Sequence, residues 1–194
     1  MRPAAAFGTG AVLPTGLKLI GTGALGAASQ GSSTSLSGDG DTTVIGALDD
    51  HGSVGAAWAY VRGGVWSQQA KLVAAATGTG VCNTPCPPGE QGCSVALSGD
   101  GSTPIVGSFH DEIGLAVAFV FTRSSGVWTQ QAELAATGQG EFVTSLGWSV
   151  ALSGDGSTAI VGNPNVRISS SGVFYAAARG CLRDQTGFGA SKRS

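Results

Sequence analysis

The sequence predicts an all-β protein, a β-propeller-like array of about three four-stranded antiparallel blades that is incomplete. Three observations predict it: a string repeated three times, short apolar runs of strand length, and an unusual composition. Of 194 residues, 33 are glycine and only 11% are charged, yet 42% are hydrophobic. Apolar residues in short alternating runs indicate ordered strands rather than a low-complexity chain.

The repeated string is Leu-Ser-Gly-Asp-Gly. Its aspartates, Asp39, Asp100 and Asp155, are 61 and 55 residues apart. A serine stands six residues before each aspartate, a glycine seven after it and an aromatic residue nineteen after it. These residues are Ser33, Ser94 and Ser149, then Gly46, Gly107 and Gly162, then Trp58, Phe119 and Phe174. Three offsets kept in three copies indicate one structural unit used three times.

Each copy predicts four short strands. The first ends at Gly-Asp-Gly, which favours a tight hairpin because glycine accepts positive φ. The second is short and β-branched, as at Ile105-Val106. The third alternates, with Phe119 and Phe121 on one face and Ala118 on the other. The fourth carries Val-Trp-x-Gln-Gln-Ala, at residues 65–70 and 127–132. Four such strands are typical of a propeller blade, whose aromatic side chains pack between blades.

The organisation follows from the repeats. Residues 1–15 are expected to be a lead-in and residues 179–194 a tail. Between them, residues 16–178 hold a partial strand at about 16–30 and blades at 31–76, 91–137 and 146–178. The third copy lacks the Val-Trp-x-Gln-Gln strand, and propellers typically close with about four to eight blades. We therefore expect an incomplete array whose exposed blade faces permit self-association.

The charge distribution and the hydropathy of the sequence argue against nucleic-acid binding and against a membrane span. The formal net charge is −2, and the ten Lys and Arg residues are spread along the chain. Nucleic-acid binding needs clustered positive charge, so it is not expected. No apolar run approaches the roughly 20 residues that span a bilayer, so no membrane span is expected. The first residues do not form a clear signal peptide.

Residues 146–151 (Leu-Gly-Trp-Ser-Val-Ala), followed by Gly154-Asp155 and by Val-Gly-Asn-Pro at 161–164, resemble the FG-GAP repeat. The copies at 91–96 and 31–33 match less closely, and Val-Trp-x-Gln-Gln-Ala is similar to the bacterial subtype. This family occurs in integrin α-subunit propellers and in bacterial surface or secreted proteins. The resemblance covers residues 16–178.

The resemblance implies a non-catalytic module for protein or glycan binding or adhesion, at the cell surface or outside the cell. Loops 48–54, 109–114 and 163–171 would form its variable surface. Two alternatives stay open: a purely structural repeat fragment of a larger surface protein, and a fragment of a propeller hydrolase or lyase. We expect no enzyme, because no catalytic motif is present and His51 and His110, each beside a carboxylate, stand at equivalent loop positions.

No cofactor is expected, although the resemblance brings calcium into consideration, since some family members bind it in blade loops. The candidate ligands are Asp49, Asp50, Asp111 and Glu112. Calcium takes about six to eight oxygen ligands, and only two carboxylates occur together here. A structural turn is therefore favoured.

The cysteines leave two interpretations open. Cys82, Cys86 and Cys93 lie in or beside one proline-containing loop, and Cys181 has no evident partner. A disulfide between two of the first three is one interpretation, and free thiols are the other. A zinc site is disfavoured because the spacing is not that of a zinc finger.

Overall fold

A computed structural model describes residues 18–75, 89–109, 117–135, 146–162 and 176–179, which form three antiparallel sheets. The first contains β1 (Gln30–Leu36), β2 (Thr42–Ala47), β3 (Ala56–Gly63) and β4 (Val65–Leu72), with the short helical turn α1 (Asp50–Ser53) between β2 and β3. The second contains β5 (Ser94–Leu97), β6 (Pro104–Ser108), β7 (Val117–Ser124) and β8 (Val127–Ala135). The third contains β9 (Ser149–Leu152), β10 (Thr158–Gly162) and β11 (Ala176–Arg179).

Each strand pairs with its neighbour in sequence, so every sheet is an up-and-down meander. The prediction of an all-β array of four-stranded antiparallel blades is confirmed, with three strands of the third blade within the described residues. No helix among these residues has the length and hydropathy needed to cross a membrane. The predicted lead-in, 1–15, and the tail beyond Arg179 lie outside the described residues.

The first two sheets pack through faces of opposite character. Ala57 and Ala59, on one face of β3, belong to the same buried cluster as Phe119 and Phe121 of β7. Small side chains on one sheet leave room for large rings on the next, so the two sheets approach closely. Phe119 is fully buried there, which agrees with the expected packing of aromatic residues between blades.

The second junction uses the other face of β7. Ala118 and Val120 are buried in one cluster with Ala159 and Val161 of β10. Both faces of the second sheet are therefore covered by neighbouring sheets. Burial of both faces is the arrangement that a blade needs in order to be stable.

The third sheet departs from the repeat in its register. In the second sheet Val106 pairs with Phe119, but the equivalent Val161 pairs with Ala176. The repeat places Phe174 opposite Val161, so β11 is displaced by two residues. Phe174 itself lies outside the described residues.

The opposite face of the first sheet is covered by residues 18–28, and no sheet of the described residues lies against it. Leu19, Ala24 and Ala28 pack against Trp58 and Tyr60. No strand forms over residues 18–29, whereas a partial strand was expected at about 16–30.

Glutamine side chains bond to the backbone of this segment at Gly21 and Thr22. Gln30 bonds through its side chain to the backbone of Gly21, at 2.7 Å to the N–H and 3.0 Å to the carbonyl. Gln91 holds Ala74, just beyond β4, with the same two distances. The two glutamines are 61 residues apart, which is the first repeat spacing. Residues 18–22 therefore lie against the first sheet as the end of β4 lies against the second.

The Gly-Asp-Gly turns connect the three sheets directly. The Gly38 amide donates to the Gly99 carbonyl at 2.8 Å, and the Gly99 amide donates to the Gly154 carbonyl at 2.7 Å. These glycines precede the three repeated aspartates. Each turn is thereby fixed to the next by a backbone hydrogen bond that is independent of side-chain identity.

The repeated serines and strand glycines form a second set of connections. Ser33 donates its hydroxyl to the Gly92 carbonyl, and Ser94 to the Gly147 carbonyl, both at 2.7 Å. A Cβ atom added to Gly107 would lie 2.1 Å from the Gly147 carbonyl oxygen, and Gly46 is equally close to Gly92. Glycine is required at these positions because the neighbouring sheet's backbone occupies the space of a side chain.

Candidate functional site

The repeated aspartates have a structural role at the turn end of the sheets, where the β1–β2 hairpin and its equivalents lie. Asp100 accepts hydrogen bonds from the Ser98 hydroxyl at 2.6 Å and from the Ser102 amide at 2.9 Å. Asp39 and Asp155 make the equivalent bonds. The serine hydroxyl bond, followed by the backbone N–H bond, lowers the pKa of Asp155 to about 2. The turn interpretation of these carboxylates agrees with this geometry.

The opposite end of the sheets, the loop end, carries the β2–β3 connections. The first of these contains α1, in which His51, Gly52 and Ser53 all have positive φ, at 54°, 65° and 70°. Non-glycine residues rarely adopt this conformation, so two of the three positions are strained. The surrounding backbone holds the turn in place: the His51 amide donates to the Leu25 carbonyl at 2.8 Å, and the Ser53 carbonyl accepts from Glu90.

Asp50 forms the buried anchor of this turn. It is 1% exposed, and its two carboxylate oxygens have different partners. One oxygen lies 2.6 Å from the Lys71 ammonium, and the other accepts the Leu25 amide at 2.8 Å. Lys71 also donates to the Gly23 carbonyl and lies 5.0 Å from the centre of the Trp58 ring. The charge of Asp50 is therefore compensated inside the protein.

The structure places the calcium candidates as follows. Asp49 and Asp50 are adjacent in the α1 turn, where Asp49 accepts the Ser29 hydroxyl at 2.5 Å. Asp111 and Glu112 lie outside the described residues. Within the described ranges no three His, Cys, Asp or Glu side chains come together as a metal-binding group. The expectation that these residues bind no metal stays a prediction.

The histidine and cysteine candidates are only partly described. His51 is exposed, and the neighbouring carboxylate of Asp50 bonds to Lys71 and Leu25 instead. Cys93 is half-buried, forms no disulfide with another described residue and places its sulfur 3.3 Å from the Gly147 carbonyl. Burial raises the pKa of the Cys93 thiol. His110, Cys82, Cys86 and Cys181 lie outside the described residues, so the disulfide prediction stays open.

An exposed aromatic pair lies at the loop end, beside the second and third sheets. Phe109 follows β6, and Trp148 precedes β9; their ring centres are 4.7 Å apart, with planes inclined at 65°. Phe109 is half-buried, whereas Trp148 is 52% exposed. The edge-to-face contact fixes one side of the indole and leaves the other accessible to a ligand.

Sequence reasoning assigned Trp148 only to the repeat motif and missed this pair. The motif Gly-x-Ser before the first strand places Ser32, Cys93 and Trp148 at its variable position. The pair could have been suspected from the sequence, because a large aromatic residue stands in one copy where the other two copies have a small residue. Phe109 was included in the predicted loop 109–114, but without a specific role.

An open groove of about 390 Å³ lies between β4 and β8 on the outer side of the first two sheets. Gln69 lies on its wall and accepts hydrogen bonds from the Trp128 indole at 2.7 Å and from Arg123 at 3.3 Å. The Gln130 side chain bonds to both backbone groups of Ala75. The polar groups of the groove thus join the two sheets to each other, and the groove is a weaker candidate site than the aromatic pair.

Comparison with known proteins gives no family assignment. No family model matches the sequence, and no curated protein matches it. The structure is similar to hydrazine synthase from Kuenenia stuttgartiensis, with 14% identity and a TM-score of 0.43 over 75% of this chain and 32% of that one. It is also similar to TolB from Acinetobacter baumannii, with 16% identity and a TM-score of 0.39 over 80% and 30%.

The chain spans about a third of the length of these two structures. Similarity at this level indicates neither a shared ligand nor a shared activity. The described residues themselves establish an all-β array of stacked antiparallel sheets, joined at their turn end by Gly-Asp-Gly hairpins and presenting an aromatic pair at their loop end.

Proposed function

We propose that this chain is a non-catalytic β-propeller segment of the FG-GAP repeat type that binds a protein or glycan ligand at the cell surface or outside the cell. The binding surface is the loop end of the sheets, with Trp148 and Phe109 as its described contact residues. The observation that carries the proposal is the exposed indole of Trp148, held by Phe109.

The distribution of repeated and divergent residues supports this surface. The aspartates, serines and strand glycines shared by the copies make contacts within or between sheets, which leaves few of them available for a ligand. The residues that differ between copies cluster at the loop end, where the first connection contains the α1 turn and the second begins at Phe109. Surface loops on a rigid scaffold are where binding residues are most often found.

The chemistry of Trp148 also supports ligand contact. Tryptophan is enriched among the residues that dominate binding energy at interfaces, because one rigid ring supplies a large contact area. A half-exposed indole is otherwise unfavourable on a protein surface, since its apolar area faces water. A ligand that covers this ring would remove that cost.

The absence of catalysis is part of the proposal. Asp50, the buried carboxylate of the loop end, has both oxygens bonded within the protein, and His51 is exposed on a strained turn. A catalytic site instead requires an acid or base within hydrogen-bond reach of a substrate.

A purely structural role is the second candidate, favoured by the use of the repeat-shared polar residues in stacking. The two candidates differ in what Trp148 does. We expect screening of the purified chain on glycan and protein arrays to identify a ligand. The Kd for that ligand should be at least tenfold higher for Trp148→Ala than for the parent chain. The matched control is Val65→Ala, since Val65 is exposed but lies on β4 away from the loop end. An equal loss in both variants, or no ligand on either array, would contradict the proposed binding function.

A further inference from the structure

The outer face of the third sheet repeats an interface that the chain makes twice internally. At both internal junctions a turn glycine amide donates to the next turn's carbonyl, and a serine hydroxyl donates to the glycine carbonyl that precedes the next sheet. At both, a strand glycine leaves room for that second carbonyl. The third sheet carries the same three features, at Gly154, Ser149 and Gly162.

Within the described ranges, these features of the third sheet lack a neighbour. The Gly154 amide and the Ser149 hydroxyl have no hydrogen-bond partner there. The three described atoms nearest to a Cβ atom on Gly162 all belong to Ser149, whereas at Gly107 the nearest is the Gly147 carbonyl oxygen of the next sheet. Ile160, on the same face, is 48% exposed, whereas its equivalent Ile105 in the second sheet is fully buried. This face thus presents two donors around an exposed apolar side chain.

The first sheet presents the complementary acceptors. The Gly38 carbonyl, equivalent to the acceptors at Gly99 and Gly154, receives no hydrogen bond from a described residue. The Gly31 carbonyl, equivalent to the acceptors at Gly92 and Gly147, receives no hydroxyl from the described part of the chain.

A buried donor on the same side of the first sheet also lacks a partner. The Tyr60 hydroxyl is buried without a hydrogen bond in the described part of the chain, although a buried unsatisfied group is costly. The first sheet is therefore short of polar partners on the side that a preceding sheet would cover.

We propose that the third sheet of one chain docks on the first sheet of a second copy of the same chain. The Gly154 amide would donate to the Gly38 carbonyl of the second copy, and the Ser149 hydroxyl to its Gly31 carbonyl. Such a contact joins two different surfaces, so it closes only as a ring. Two chains with three sheets each form a ring of six, which lies within the typical range of about four to eight blades.

Residues 18–22 are compatible with this docking, because they occupy the place that the end of β4 occupies at the next junction. Ala24 and Ala28 pack on Trp58 and Tyr60, so residues 23–28 would have to shift outward when the second copy docks. The Ala74 segment at that junction coexists with a docked sheet, since Leu72 and Phe119 share one buried cluster. The second copy would thus meet a surface that already carries the outer part of a preceding blade.

Light scattering coupled to size-exclusion chromatography tests the ring. The expected mass is twice the 19.1 kDa of the chain, without higher multiples as concentration rises. A mass of one chain throughout a range from about 1 to 100 μM would overturn the proposal. A series of increasing masses would overturn it as well, because it would show an open assembly.

Substitutions on the third sheet test the contact itself. Gly162→Ala places a Cβ where the Gly31 carbonyl of the second copy would lie, so we expect the dimer Kd to rise at least tenfold. Ser149→Ala removes one hydrogen bond and should raise the Kd about five- to tenfold. In the single variant the new Cβ would clash with the Ser149 hydroxyl of the same chain; Ser149→Ala combined with Gly162→Ala removes that clash and leaves only ordinary contacts within the monomer.

The matched pair for the apolar contact is Ile160→Asp and Val65→Asp, both at exposed aliphatic residues. We expect Ile160→Asp to be monomeric, with the circular dichroism spectrum of the parent chain, and Val65→Asp to remain dimeric. Dimers that persist in both Ile160→Asp and Gly162→Ala would overturn the proposed interface.

Discussion

The two ends of the stacked sheets follow different rules. At the turn end, the three Gly-Asp-Gly hairpins have the same sequence and the same hydrogen bonds, and each bonds to the next through its backbone. At the loop end, the first β2–β3 connection is a strained turn anchored by Asp50, and the second begins at the exposed pair of Phe109 and Trp148. The residues that recur in all three copies therefore determine how the sheets stack, and the residues that differ between copies determine the exposed surface at the loop end.

The largest expected effect is a loss of folding stability when Asp50 is changed. Asp50 lies at the divergent loop end, yet its role is structural. Asp50→Asn leaves the partly buried Lys71 ammonium without its counter-charge, so the free energy of unfolding should fall by about 3 kcal/mol or more. Urea denaturation measures the difference. Asp41→Asn is the matched control, because Asp41 pairs with Arg62 at 3.0 Å on the exposed surface and such pairs contribute about 0–1 kcal/mol.

A loss in Asp50→Asn no larger than that in Asp41→Asn would contradict the role of Asp50 as an anchor. Asp50→Asn combined with Lys71→Met separates the ion pair from the remaining packing. We expect the double variant to recover part of the lost stability, since it leaves no unpaired charge.

The second expected effect tests the close contact between the second and third sheets. Gly107→Ala places a Cβ 2.1 Å from the Gly147 carbonyl oxygen, so the sheets must move apart. Overpacking of this kind should lower the free energy of unfolding by about 1–3 kcal/mol. Gly63→Ala is the control, because a Cβ at Gly63 would meet nothing within 4 Å. Equal stability of the two variants would show that the junction between the second and third sheets does not have this geometry.

The smallest expected effect is a pH dependence that arises at the turn end. Hydrogen bonds, first of all from the serine hydroxyl, lower the pKa of Asp39 and Asp100, and that of Asp155 to about 2, from 3.8. A carboxyl group whose pKa is lower in the folded state stabilises the fold above its unfolded pKa. That contribution is therefore complete above about pH 4 and is lost as the pH falls towards 2.

Urea denaturation between pH 5 and pH 2 measures this dependence. Asp155→Asn should flatten the decline, because asparagine does not titrate. An unchanged slope in that variant would show that Asp155 does not titrate with a lowered pKa.

The strands and their stacking could be predicted from the sequence, because the residues that form them recur at fixed offsets. Serine six residues before the aspartate and glycine seven after it were visible as a pattern, and their mutual contact with a neighbouring carbonyl explains why the pattern exists. Contacts between residues that do not recur in the other copies of the repeat could not be predicted. Asp50 and Lys71 belong to different elements, and only the folded sheet brings them to 2.6 Å.

Two further departures have local physical causes. The strand expected at about 16–30 does not form over residues 18–29, where the Gln30 side chain bonds to both backbone groups of Gly21 in place of a strand partner. The positive φ of His51 and Ser53 could not be predicted from the sequence, since few residues other than glycine adopt that conformation and tertiary contacts impose it here. The exposed pair at Trp148 was hidden because its position within the repeat motif suggested a structural role.

Amide hydrogen exchange at Gly38 and Gly99 tests the stacking of the sheets most directly. Each amide bonds only to the turn of the following sheet, so its protection reports the junction rather than the hairpin to which it belongs. Both amides should exchange far more slowly than that of Gly64, in the exposed β3–β4 turn. Exchange of Gly38 and Gly99 as fast as that of Gly64 would contradict the account.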